Sequence, residues 1–407
     1  MAERDGLDWF SLLQLVLSAA GAVLLGMLSA GGLLLVSLSR LSPPGNLPVG
    51  QLDSLMILLA GMGFAGLLLV PSAVFAAQRL LGFEIPGTSP LPGAQWLIAF
   101  ILPLLAAGYA ASQNLSWGAA VLPVIHVLIN GSLIFWLVSQ AKLGLPEGSR
   151  QRFWGTFGSG LVGSPLLALI VEMILLLGVV LLWGFYLQTK PGQYQELLSL
   201  VERVSRSSFT PEMADQLIGE YLFRPGVLWS LILFIAVLIP VVEEVIKPLG
   251  VWLLLGRDLE PKEGFVLGAV SGAGYALFEN LTLAADAQGW FVVVVSRFGT
   301  TAVHILTSGL VGWGLVVGLK KGRLGKLAYA YGAAVLLHGV WNGLNVLLAL
   351  GTAAGAEQAL GTFWIQVSGF CWVGLVLLGV GSLVGLFQAE NLLKRAIMGR
   401  VQTTEGN

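Results

Sequence analysis

Ten apolar stretches of about 20 residues or more recur along the chain, and they set its class. A stretch of that length, wound as a helix at 1.5 Å per residue, crosses the roughly 30 Å of hydrocarbon in a bilayer. The stretches are 10–38, 53–78, 94–112, 118–141, 160–188, 227–256, 264–285, 290–319, 327–350 and 362–388, with Gly299 a candidate break in the eighth. Charged residues make up 11% of the 407 positions, against roughly 25% in soluble domains. So much apolar surface cannot be hidden in an aqueous core. The expected fold class is an all-α, polytopic integral membrane protein of about ten transmembrane helices with an external helical loop. The first nine residues carry both charge signs and lead into an apolar run longer than a signal-peptide core, so the first stretch reads as a span.

The loops carry an orientation signal. With the N-terminus in the cytoplasm, 14 of the 21 Lys and Arg residues fall in inside segments and five in outside segments; Lys247 and Arg297 lie within spans. The positive-inside rule then places both termini in the cytoplasm. The net charge of -1, with no basic tract or aromatic stacking platform, gives no sign of nucleic-acid binding. Cys371 is the only cysteine, which excludes an intrachain disulfide framework and any multi-cysteine metal site. The 54 glycines suit close helix–helix approach in lipid, where small residues replace the hydrophobic drive of water.

One outside segment, 189–226, is polar enough to leave the membrane. Leu197, Leu198, Val201 and Val204 repeat in it at helical spacing, and a second helix is expected from Thr210-Pro211, with Met213, Leu217, Ile218 and Tyr221 on its apolar face. Such a hairpin either lies at the interface as a connector or covers a site as a lid.

Ionisable groups within a bilayer are costly and are functional candidates by default. They concentrate in 227–350. The sixth span holds Glu243, Glu244 and Lys247, so that one lysine, at i+4 and i+3, can neutralise either carboxylate. Two carboxylates with one cation leave a surplus negative charge, the setting for acid/base chemistry. The seventh span carries Tyr275, Glu279 and Thr282; the eighth Arg297, Thr301, His304 and Ser308; the ninth His338, Asn342 and Asn345. Each set repeats at helical spacing as a single polar stripe. Glu243, Glu279, His304 and His338 all lie about 11 to 15 residues, or roughly 17–23 Å, from the cytoplasmic ends of their helices. A shared polar layer near mid-membrane follows. The structural alternative is a set of ion pairs that only fix helix register. His126 and Glu172 stand alone on the fourth and fifth spans, and His126 reads as a satisfied helix-contact residue. Gly264, Gly268 and Gly272 give the seventh span a face for close approach to a neighbour.

The series Glu243-Glu244-Val-Ile-Lys247, Tyr275-Ala-Leu-Phe-Glu279-Asn280, Arg297 with His304, and His338-Gly-Val-Trp-Asn342 resembles the PrsW family of intramembrane proteases. That family is marked by E-E-x-x-K, F-x-x-x-E and H-x-x-x-D motifs and is distantly related to the CAAX-prenyl endopeptidases. Tyr275 stands where phenylalanine is usual, and Asn342 where aspartate is usual. The resemblance covers about residues 230–350. It implies that Glu243, assisted by Glu244, activates a water for attack on a peptide carbonyl, and that Glu279 shares that water. His338 and Asn342 would bind the oxyanion, Lys247 would hold the glutamates charged and oriented, and His304 would donate to the oxyanion or ligate a metal. Arg297 and Tyr275 would support the site. The related prenyl endopeptidases look metal-independent, so no cofactor is favoured; if zinc is present, Glu243, Glu279, His304 and His338 are its candidate ligands. The resemblance further implies a bacterial cytoplasmic membrane and a membrane-anchored substrate such as an anti-sigma-factor-like regulator.

The expected organisation is 1–158, transmembrane helices of unassigned role; 159–226, a fifth span with the external loop; 227–350, the protease core; and 351–407, the last span and a cytoplasmic tail. Two other classes compete: a proton- or ion-coupled transporter, which would show inverted repeats that the sequence lacks, and a non-catalytic scaffold of the same fold.

Overall fold

The computed structural model describes residues 8–41, 49–85, 87, 93–113, 115–142, 149–206, 221–283, 289–356 and 361–405. Among them the chain is almost entirely helical and has no strand. A backbone in hydrocarbon must satisfy its own N–H and C=O groups, and helices do so within one segment. Helices α1 (Trp9–Leu41), α2 (Val49–Leu80), α3 (Ile98–Ser112) and α4 (Leu115–Lys142) are followed by α5 (Arg150–Gly158). A π turn (Ser159–Gly163) joins α5 to α6 (Ser164–Gln188). Helix α7 (Pro191–Arg206) lies in the polar segment, as its leucine and valine spacing predicts; the expected helix from Thr210 falls mostly outside the described residues. Then come α8 (Pro225–Leu233), a π turn (Phe234–Leu238), α9 (Ile239–Ile246), α10 (Leu249–Leu254), α11 (Pro261–Thr282) and α12 (Trp290–Leu315). A third π turn (Val316–Lys320), α13 (Leu324–Ala356) and α14 (Gly361–Glu405) complete the order.

Nine helices among the described residues are long and apolar enough to cross a membrane, and their limits follow the expected spans within a few residues, except that the fifth begins at Arg150 and not at 160. Helix α12 runs unbroken past Gly299. The one remaining expected span, the seventh, is α11, which is less apolar than the rest for a physical reason. It is buried along nearly its whole length, from Gly264 to Leu277, so its residues meet protein and need not be lipophilic. Most of the apolar window of α12 is likewise buried, 83% against 11% for α1.

The chain divides into two compact units. The first comprises Met1–Pro165, Glu244–Leu337 and Val376–Asn407. Its core sets Phe153, Phe157 and Leu161 with Leu137, Phe265, Val266 and Leu277. Within it α11 and α12 meet through glycine. A Cβ on Gly268 would come within 2.3 Å of the Ser308 carbonyl oxygen, and one on Gly312 within 2.3 Å of the Gly264 carbonyl oxygen. The small-residue face read from the sequence is therefore the helix–helix seam.

The second unit comprises Leu166–Glu243 and His338–Leu375. In it α6 exposes Leu166, Leu169, Ile170, Ile174 and Leu177, side chains suited to lipid. Helix α7 is tied to the start of α8 by Glu196 and Arg224, whose Nη2 lies 2.7 Å from Oε1. The boundary between the units falls between Glu243 and Glu244, consecutive residues of α9.

Candidate active site

In the first unit the polar groups form a chain of contacts across α9, α11 and α12. Glu244 and Lys247 are fully buried and pair at 2.9 Å, so of the two carboxylates within the lysine's reach its partner here is the i+3 one. Thr307 donates to the same Glu244 oxygen at 3.1 Å. Lys247 Nζ lies 2.6 Å from His304 Nδ1. An ammonium can only donate, so Nδ1 accepts and the imidazole proton sits on Nε2. His304 Nε2 then donates to Glu279 Oε2 at 3.0 Å. Arg297 bridges to the same Glu279 oxygen and donates from Nε to Asn280 Oδ1 at 2.6 Å. Asn280 in turn donates to Thr301 Oγ1 at 3.0 Å. Tyr275 meets the His304 ring edge-on, with ring centroids 5.8 Å apart, and its own centroid lies 5.0 Å from Lys247 Nζ. Among Glu244, Lys247, Glu279 and Arg297 the charges alternate and cancel. That cancellation makes them tolerable within a span.

The backbone around Lys247 is opened by Pro248. Proline lacks an N–H and its ring collides with the carbonyl four residues back, so the helix stops at Ile246 and resumes as α10. The freed carbonyls need donors that lipid cannot supply. Trp252 Nε1 donates to the Val245 carbonyl at 2.8 Å. Ser164 Oγ donates to the Ile246 carbonyl at 3.1 Å, and Ser271 Oγ to that of Lys247.

The second unit pairs Glu243 with His338. Both are buried, and His338 Nε2 lies 3.7 Å from Glu243 Oε2. The same logic of proline and freed carbonyls operates upstream. Pro240 cannot donate to the Ala236 carbonyl, and the helix widens into a π turn over Phe234–Leu238. Asn342 Nδ2 donates to the Ile235 carbonyl at 3.2 Å. Gly339 sits so close that a Cβ would come within 2.5 Å of the Ala236 carbonyl oxygen. Residues 339–343 of α13 thus clamp the π turn that precedes Glu243.

Of the residues singled out from the sequence, Glu244, Lys247, Tyr275, Glu279, Arg297 and His304 come together in the first unit, and Glu243, His338 and Asn342 in the second. His126 is satisfied as expected: its ring lies 3.0 Å from the Asn280 carbonyl and 3.2 Å from Trp290 Nε1. Sequence reasoning assigned no role to Asn280, Thr307, Ser164 or Ser271. The only signal for them was a small polar residue on an otherwise apolar face, together with a proline at 248 whose stranded carbonyls had to find donors.

These features define a class: a helical membrane protein that buries carboxylates, cations and imidazoles within its spans, where such charge marks function. Comparison adds a likeness to a known family over part of the chain. Residues 206–377 match the family described as PrsW family intramembrane metalloprotease. That segment contains every motif residue from Glu243 to Asn342, and the match supports intramembrane proteolysis in general. No curated protein and no solved structure matches the chain.

Proposed function

We propose that the protein is an intramembrane endopeptidase that hydrolyses a peptide bond of a membrane-anchored protein with a water activated by Glu243. The observation that carries the proposal is the buried Glu243–His338 pair inside the segment that matches the PrsW family. In this reading the Glu243 carboxylate takes a proton from water as the water oxygen attacks the substrate carbonyl carbon. The oxyanion that forms is met by His338, where a preorganised donor can contribute several kcal/mol. The tetrahedral species then collapses, the C–N bond breaks, and the proton held by Glu243 passes to the leaving amine. Glu244 does not share this work: Lys247 and Thr307 hold it. Glu279, with both Arg297 and His304 on one oxygen, positions His304. Asn342 keeps the π turn in place and so sets the direction of Glu243. The distribution of Lys and Arg supports cytoplasmic termini.

A second reading is favoured by one distance. At 3.7 Å, Glu243 Oε2 and His338 Nε2 are too far apart for a hydrogen bond. Two ligands of one tetrahedral zinc stand roughly 3.4 Å apart, from bonds of about 2.0–2.1 Å. A carboxylate and an imidazole are also the right donor types. Glu243 and His338 therefore fit a divalent metal as two of its ligands, and such an ion would bring its water's pKa near 7. His304 has both ring nitrogens engaged, with Lys247 and Glu279, which speaks for a positioning role.

Metal content separates the two readings. The intact protein and the His338→Gln variant are purified without chelator, their zinc is measured by elemental mass spectrometry, and activity is assayed before and after chelation. Substoichiometric zinc with chelator-resistant cleavage supports the carboxylate reading. One zinc per chain, lost in the variant, overturns it in favour of the metal.

A further inference from the structure

The first unit holds a polar cavity made of residues that the catalytic reading does not use. Its volume is about 280 Å³, and its walls include Arg79, Arg152 and Arg257 with Asp8. Four segments meet there at helix ends: Asp8 precedes α1, Arg79 closes α2, Arg152 opens α5, and Arg257 follows α10. The ends of spanning helices lie at the level of lipid headgroups. Phe10, Ile85 and Leu254 add apolar wall beside the charges.

Among the described residues the cations are only partly neutralised. Arg257 lies 2.6 Å and Arg79 3.9 Å from Asp8, while Arg152 lies 3.7 Å from Glu263. Among the described residues three guanidiniums thus face two carboxylates, and the side chains of Arg79 and Arg257 stay 47% exposed. Burial opposes ionisation of Asp8, but hydrogen bonds from Ser11 and the charges of Arg257 and Arg79 outweigh it and hold the carboxyl below its usual range. Asp8 is therefore charged at neutral pH, and its removal would release positive potential. Helix α5 starts at the cavity wall, with Ser149 capping it, and adds the positive end of its dipole. The chain as a whole carries a net charge of -1, so this positive field is local.

We propose that this cavity binds a phosphate ester, supplied by the headgroup of an anionic phospholipid. The guanidinium fork matches phosphate oxygens in pairs. Basic pockets between helix ends are the usual seat of such headgroups. The apolar wall suits the glycerol and first acyl carbons, which favours a lipid over a soluble phosphate. Occupancy would tie the start of α5 to the end of α10, the helix that follows the break at Lys247–Pro248.

The test is lipid retention by the full-length chain in detergent, read by native mass spectrometry with phosphatidylglycerol and phosphatidylcholine offered together. The variants are Arg79→Gln, Arg257→Gln and Asp8→Asn, with Arg323→Gln as an equal charge change on an exposed turn. Circular dichroism checks that each is folded. The intact chain should prefer phosphatidylglycerol, each cavity arginine variant should lose about fivefold in retention, and Arg323→Gln should not change. Asp8→Asn should retain more, the opposite of what loss of a purely structural Asp8–Arg257 pair would give. Displacement by millimolar inorganic phosphate, with no preference between the two lipids, would replace the lipid by a soluble phosphate and overturn the choice of source. Equal retention in every variant, with no effect of phosphate, would overturn the site.

Discussion

Replacing Lys247 by methionine keeps the length of the side chain and removes its charge. Lys247 and Glu244 are both fully buried, and their charged atoms are 2.9 Å apart. Loss of the cation strands Glu244 and also empties the donor position on His304 Nδ1. Breaking a buried pair from one side costs about 3–5 kcal/mol, because the remaining charge has no solvent. Glu244→Gln should cost a similar amount by stranding Lys247. The double variant removes both charges and should be less destabilised than either single one, since a buried pair is often near neutral against uncharged residues of like volume. The assay is reversible unfolding in mixed detergent and SDS micelles, followed by circular dichroism for all four proteins. Additive losses, or single losses below about 1 kcal/mol, would refute the view that Glu244 and Lys247 act as one neutral unit.

Gly268→Ala should destabilise the protein by about 1–3 kcal/mol, since its Cβ would meet backbone of α12 at 2.3 Å, whereas Gly26→Ala, with nothing within 4 Å, should be neutral in the same unfolding assay. Asn342→Ala should lower the rate of cleavage and cost about 1 kcal/mol through the lost bond to the Ile235 carbonyl; a folded variant of unchanged rate would remove the positioning role. Glu196 is held below the usual carboxylate range, chiefly by its hydrogen bond with Arg224. A carboxylate with a depressed folded pKa contributes stability above its unfolded value, about 4.3, and loses it as pH falls through the lower folded value. Hydrogen-exchange protection of α7, corrected for the intrinsic pH dependence of exchange, should therefore hold from pH 8 to 5 and fall below about pH 4; Glu196→Gln should abolish that fall.

Most of the architecture was legible because lipid enforces it. A span must be about 20 apolar residues, so the nine lipid-compatible helices end within a few residues of the expected limits, the start of α6 excepted, where α5 and a π turn extend the span back to Arg150. That α11 approaches a neighbour closely was equally plain from Gly264, Gly268 and Gly272; that the neighbour is α12 was not. Partner choice was not legible. The sequence offered Lys247 two glutamates, and the structure pairs it with Glu244, where Thr307 and His304 from α12 also converge. The breaks at Pro240 and Pro248 went unread in the sixth span, which was expected as one continuous helix. The donors that satisfy the opened carbonyls, Asn342 for one and Ser164 and Ser271 for the other, lie 107, 82 and 24 residues away in sequence. Such contacts arise only once helices pack.

The most direct test of the proposed activity is a survey of new protein N-termini in membranes from cells producing the intact chain, set against cells producing Glu243→Gln. That substitution removes the base and nearly keeps the shape of the side chain. Intramembrane proteolysis through Glu243 predicts N-termini, within or beside membrane spans of other proteins, that appear only with the intact chain. Identical surveys, with both proteins folded, equally abundant and produced in their native host, would contradict it and leave transport or scaffolding as the function of the buried layer.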